Sequence, residues 1–128
     1  MELRRINADN APLPQGGAYS SAVEISGHER MLFVSGQIPV DLDGAVPEDF
    51  MAQGRLTWRN IAAQLEAAGM TLDNVVKVNV FLSDRKFAMD NRALRHEVLG
   101  ERCPALTVIV CDIFDAAWLL EIEVVAAA

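Results

Sequence analysis

The chain has few aromatic residues, fewer basic than acidic ones, and none of the usual motifs that build metal or phosphate sites. Aromatics are 6% of its 128 residues, and 11 Lys and Arg face 18 Asp and Glu, for a formal net charge of −7. Phosphate contacts from basic side chains dominate nucleic-acid binding, so this balance argues against nucleic acid and anionic membrane as partners. There are two histidines, His28 and His96, and two cysteines, Cys103 and Cys111. With no H-E-x-x-H and no cysteines at zinc spacing, no metal site is expected, and the thiols read as small core hydrophobes. Neither G-x-x-x-x-G-K-[ST] nor G-x-G-x-x-G follows a strand, which removes the usual phosphate cradles. No apolar run reaches the ~18 residues of a membrane span. Behind Met1-Glu2-Leu3-Arg4-Arg5 there is no apolar stretch of signal-peptide length. A cytoplasmic home is the expectation.

Apolar residues, by contrast, are plentiful. They make up 52% of the chain, with a mean hydropathy of +0.18. A chain of this length forms one domain, residues 1–128, and needs no disulfide or metal staple. The apolar fraction is high for a lone small domain, which points to cover for a subunit interface as well as for a core.

No repeat or linker divides the sequence. Asn7 to Ala18 holds Pro12, Pro14 and Gly16-Gly17, loop chemistry that leads into the first strand. Ser20–Ile25 and Met31–Ile38 read as strands, with Ser26 to Arg30 as a hairpin loop between them. A helix is expected over Glu48–Ala68, preceded by Pro47 and stopped by Gly69. Gly54, Trp58, Ile61, Leu65 and Ala68 recur at steps of four and three, which makes one apolar face. Val76, Val78, Val80 and Leu82 alternate with Lys77, Asn79 and Phe81, a strand with one buried face. A second helix is expected over Arg85–Leu99, then strands at Ala105–Cys111 and Trp118–Val125. Apolar residues on both sides of Ala105–Cys111 predict burial from both directions. The resulting order, β-β-α-β-α-β-β, is an α+β mixed sheet with two helices on one face.

Three residues carry candidate chemistry. Glu121 and Glu123 share one face of the last strand, about 7 Å apart. Acids set in an apolar strand suit general acid–base or water-positioning work; the plainer reading of the pair is an exposed polar face, or salt bridges to Arg or Lys across an interface. Ser35, in Val34-Ser35-Gly36-Gln37, lacks the G-x-S-x-G elbow of a hydrolase nucleophile and reads instead as a hydroxyl lining a pocket.

Several segments together resemble the RidA (YjgF, L-PSP) family. They are Gly17-Ala18-Tyr19-Ser20, Phe33-Val34-Ser35-Gly36-Gln37-Ile38-Pro39, Leu65-Glu66-Ala67-Ala68-Gly69, Asp73-Asn74-Val75-Val76-Lys77-Val78 with Phe81-Leu82, and Glu121-Ile122-Glu123-Val124. The resemblance spans nearly the whole chain. It implies a chorismate-mutase-like fold, a homotrimer with its sheets around a central barrel, and small-molecule ligands in the clefts between subunits. It further implies hydrolysis of reactive imines and enamines, such as 2-aminoacrylate, to a 2-keto acid and ammonia, with no cofactor. Carried over by motif, Glu121 would orient or deprotonate the attacking water, and Tyr19 would form a wall whose hydroxyl helps hold it. Ser35 would sit at the rim, and Asn91 would be a mainly structural polar group beside the cleft.

Three positions differ from the family pattern. Leu106, in Cys103-Pro104-Ala105-Leu106-Thr107, stands where active deaminases carry an arginine that grips the substrate carboxylate. Ala18 replaces a proline, and Phe114-Asp115 a Leu-Pro turn. An arginine–carboxylate fork uses charge-assisted bonds worth about 1.5–3 kcal/mol each, so its loss weakens carboxylate binding roughly 10²-fold or more. Arg102, Arg92 and Arg95 are the candidate substitutes, and sequence alone puts none of them in the cleft. Three functional readings follow: an imine or enamine hydrolase, the same chemistry with specificity altered toward a neutral or more apolar molecule, and a non-catalytic ligand-binding or regulatory trimer. The family's older label, endoribonuclease and translation inhibitor, is the weakest reading at this charge.

Overall fold

The computed structural model describes all 128 residues, in six strands and two α-helices. The strands are β1 (Glu2–Ile6), β2 (Ala22–Ser26), β3 (Met31–Gln37), β4 (Val75–Leu82), β5 (Ala105–Val110) and β6 (Leu120–Ala127); the helices are α1 (Phe50–Ala67) and α2 (Ala88–Leu99). Four strands form one mixed sheet in the order β3-β6-β4-β5. Only β4 and β5 run parallel. An antiparallel pair, β1 and β2, adjoins it through a parallel bridge from Ser20 to Ala105.

The order is therefore β-β-β-α-β-α-β-β, one strand more than the sequence pattern predicts. β1 carries Arg4 and Arg5 and is almost wholly exposed, so no buried face marks it in the sequence. Its register sets Arg4 opposite Glu24, and the two side chains form a forked ion pair at 3.1 and 3.2 Å. This pairing also corrects the expected hairpin at Ser26 to Arg30. β2 pairs with β1, whereas β3 pairs with β6.

The Asp49 carboxylate accepts a hydrogen bond from the Ala52 N–H at 2.8 Å, which caps α1 and starts it two residues later than expected. At its other end Gly69 takes φ +71°. The Gly69 and Met70 N–H groups donate to Glu66 and Leu65 carbonyls at 2.9 and 2.8 Å, a left-handed stop that suits glycine. The predicted apolar face packs inward, with Gly54, Trp58, Ile61 and Leu65 buried. A single 3₁₀ turn, Arg85–Phe87, precedes α2, so the second helix is shorter than expected.

Period-2 alternation sorts the sheet into two faces. Val78, Val80 and Leu82 of β4 and Leu120, Ile122 and Val124 of β6 are buried with Ile61, Leu65 and Leu94 of the helices. The opposite face carries Asn79, Phe81, Glu121, Glu123 and Val125, all half-buried, beside the exposed Phe33 and Ser35. Nothing in the chain covers it. β5 differs most from expectation: Thr107 to Val110 are exposed, because the strand sits at the sheet edge with no second layer over it. Cys103 and Cys111 are half-buried and unbridged, so neither is a core residue.

Candidate functional site

A cavity of about 320 Å³ opens between β5, α2 and the loop before β2. Gln15 and Tyr19 of the loop, Asn91, Arg92 and Arg95 of α2, and Leu106 of β5 line it. Three of the five site residues expected from sequence, Tyr19, Asn91 and Leu106, are thus brought together, with two of the three candidate substitute arginines, Arg92 and Arg95. The loop lies tightly on α2. Ala18 holds φ +56° and is 6% exposed, a backbone state closed to the proline that the family pattern has there. The His96 ring bonds the Gly16 carbonyl. The Tyr19 hydroxyl accepts from the Gln15 N–H at 2.7 Å, which leaves its own proton free to donate.

Arginines of α2 form one wall of this cavity, as Leu106 of β5 forms another. Arg95 is 6% exposed; its Nε–H donates to the Gly17 carbonyl at 3.4 Å and its guanidinium lies 5.6 Å from the Tyr19 ring centroid. Burial, and then the neighbouring Arg92 charge, push the Arg95 guanidinium below its ordinary pKa. Arg102 does not reach the cavity. It pairs with Asp73 at 2.6 Å on the other side of the β5 approach. Spacing held a signal for Arg95, which stands one helical turn after Asn91 and so shares its face. A helical arginine in a sequence reads as solvated, however, and its burial is set by a loop 78 residues away.

Glu121 and Ser35 lie elsewhere. β4 pairs Phe81 with Glu121 of β6 and with Ile109 of β5, and it pairs Val78 with Leu106. Phe81 and Val78 differ by an odd number, so Glu121 and Leu106 occupy opposite faces of the same sheet. The Glu121 carboxylate leans over Gly36, where an added Cβ would lie 2.0 Å from its Oε2. Glu123, on the same face, accepts a hydrogen bond from the Asn79 amide at 3.0 Å. Glu123 and Ser35 line a shallow depression of about 230 Å³. Of the two acids, Glu123 is engaged by its neighbour strand, whereas Glu121 makes no hydrogen bond or ion pair and lies close over Gly36.

No helix is long and apolar enough to cross a membrane, and no three His, Cys, Asp or Glu gather as a metal site would require.

The family model described as endoribonuclease L-PSP matches residues 9–128. The chain belongs to the RidA/YjgF (endoribonuclease L-PSP) family. A RutC family protein of Pyrococcus horikoshii is 37% identical over 123 residues, 94% of each chain. A Salmonella typhimurium 2-iminobutanoate/2-iminopropanoate deaminase is 42% identical over 82 residues, 63% of this chain and 61% of that one. In fold, this Rid-family chain is similar to the crystal structure of the Rid-family protein YyfB from Yersinia pestis. The TM-score is 0.87 at 24% identity, and the match covers all of both chains.

Proposed function

We propose that this Rid-family chain, a single domain of residues 1–128, works as a homotrimer. Its open sheet faces would surround a central barrel, and its inter-subunit clefts would bind a small molecule. The reaction is hydrolysis, a deamination, of an imine- or enamine-type metabolite, with specificity altered by Leu106. One observation carries the reading: Glu121 and the Tyr19–Asn91–Leu106 cavity stand on opposite faces of one sheet. Within one protomer they cannot act on the same molecule. Between two copies, the open face of one can meet the cavity edge of the next, along the uncovered, apolar β5.

In such a cleft Glu121 takes a proton from water as the oxygen adds to the imine carbon. Glu121 returns that proton to the nitrogen, giving a carbinolamine, and then carries the hydroxyl proton to the same nitrogen; the C–N bond breaks, ammonia leaves, and the oxygen stays as the carbonyl of the product. The Tyr19 hydroxyl donates to the water or the nitrogen, Ser35 lies at the rim, and Asn91 stiffens the α2 wall. Leu106 of β5 gives the other wall of the cavity an apolar surface. The deaminase name of the Salmonella relative supports this class of reaction.

The test is competition for 2-aminoacrylate generated from serine by a dehydratase, with semicarbazide trapping the surviving imine. The wild-type protein is expected to lower the trapped fraction, and Glu121→Gln to lose that ability by about 10²–10⁴-fold. A trapped fraction untouched by the wild type, with a small molecule still bound, would replace the hydrolase by a ligand-binding trimer.

A further inference from the structure

We infer that Arg95, supported by Arg92, anchors an anionic group of the ligand, a carboxylate, from the α2 side of the cavity, in place of the strand position held by Leu106. The inference names the substrate class for the cleft proposed above and rests on that reading for the cleft's identity. The binding itself requires no turnover.

Arg95 is a buried cation without a counter-ion. The chain has 18 acids, yet its three ion pairs, Arg4–Glu24, Arg55–Glu97 and Arg102–Asp73, include neither Arg95 nor Arg92. Burying an unpaired charge is costly, and such groups are ordinarily paired. A guanidinium carries five N–H donors, of which Arg95 spends one, at 3.4 Å on the Gly17 carbonyl. No fully buried side-chain nitrogen or oxygen lacks a partner, so the unspent donors have access to the cavity that Arg95 lines. The Tyr19 ring supports the cation from one side, and a planar fork remains for a planar anion.

The loop is shaped around these cations. A Cβ at Gly16 would lie 2.5 Å from Arg92 Nε, and one at Gly17 2.9 Å from His96 Cε1. Glycine at both positions lets the backbone close over Arg92 and His96. Arg92 and Arg95, three residues apart on one helix, repel each other, and an anion between them and Leu106 relieves that repulsion. The arginine of the family pattern is thus displaced across the cavity and not simply lost, and Leu106 contacts the apolar part of the same ligand.

Pyruvate and its neutral amide, pyruvamide, are the probes, with binding to the assembled protein followed by NMR titration. Wild-type protein is expected to bind pyruvate at least tenfold more tightly than pyruvamide, and added salt should narrow the gap. Arg95→Met is expected to abolish the preference by weakening pyruvate far more than pyruvamide. Arg92→Gln should reduce it several-fold, and Arg102→Gln should leave it intact. Equal binding of the two probes by the wild type would overturn the inference without any variant. So would an undiminished pyruvate preference in folded Arg95→Met. Imine hydrolysis with unchanged KM in Arg95→Met would refute the anchor and leave the hydrolase standing. Pyruvate preference that depends on Arg95 without hydrolysis would do the reverse.

Discussion

Glycine at two positions does opposite work, and the difference can be measured. At Gly36 the obstructing atoms belong to the Glu121 side chain, Oε2 at 2.0 Å and Cδ at 2.8 Å. Gly36→Ala should therefore fold, with stability changed by no more than about 1 kcal/mol, while the carboxylate swings aside and hydrolysis falls at least tenfold. Unchanged kcat in that variant would separate Glu121 from the reaction. At Gly54 the obstacle is Leu94 Cδ2 at 2.3 Å, inside the closed α1–α2 contact. Overpacking of that kind costs about 1–3 kcal/mol, partly offset by the ~1 kcal/mol helix-propensity gain of alanine. Gly54→Ala should lower the denaturant midpoint and leave the open sheet face alone. Ala18 poses the converse case. At φ +56° a side chain is strained, so Ala18→Gly should cost little or raise stability by a few tenths of a kcal/mol, read as an unchanged or higher Tm.

Elements with one buried face announced themselves, and those without one did not. The four-and-three spacing of Gly54, Trp58, Ile61 and Leu65 and the alternation of Val76 to Leu82 are records of burial, and both faces are buried as that spacing requires. β1 has no buried face, so Glu2–Ile6 left no pattern to read, and the partner of β2 was misjudged with it. β5 was readable as a strand but not as an edge, since its apolar outer residues look the same whether a second layer covers them or a second subunit does. In the site, Tyr19, Asn91 and Leu106 were legible through the family motif. Arg92 and Arg95 were legible only as candidates beside Arg102, because the burial that singles out Arg95 arises from the Gly16-Gly17 loop folding back on α2. Between the helices, the forked Arg55–Glu97 pair at 2.9 and 3.0 Å holds the Glu97 carboxyl below its ordinary pKa, through its hydrogen bond to Arg55 and the attendant charge. A depressed carboxyl pKa contributes stability above the ordinary glutamate value, and that contribution is lost as pH falls through the folded value. Both side chains are about half exposed, so the effect is small and screened by salt. Tm measured against pH should fall a little less steeply on the acid side in Glu97→Gln than in the wild type.

For the whole molecule, the outstanding feature is apolar surface with nothing over it. Phe33 is 72% exposed and Ile109 45%, at opposite edges of the sheet face away from the helices, and Val110, on the other face, is 44% exposed at the bare β5 edge. A bare edge strand of this kind invites pairing or aggregation unless it is covered. The apolar excess in the composition and the split placement of the site residues find one explanation in assembly. Ile109→Asp should convert the assembly to protomers in sedimentation velocity, and hydrolysis should vanish with it. A fully active Ile109→Asp protomer would place the whole site in one chain.

A working cleft that takes Glu121 from one subunit and Tyr19 from its neighbour can be rebuilt from two inactive variants: co-refold Glu121→Gln with Tyr19→Ala in equal amounts and measure imine hydrolysis. Each variant alone should be inactive. With random assembly about a quarter of the clefts combine two intact halves, so the mixture should recover roughly that fraction of wild-type activity. A mixture no more active than its two parents, although assembled, would contradict the account.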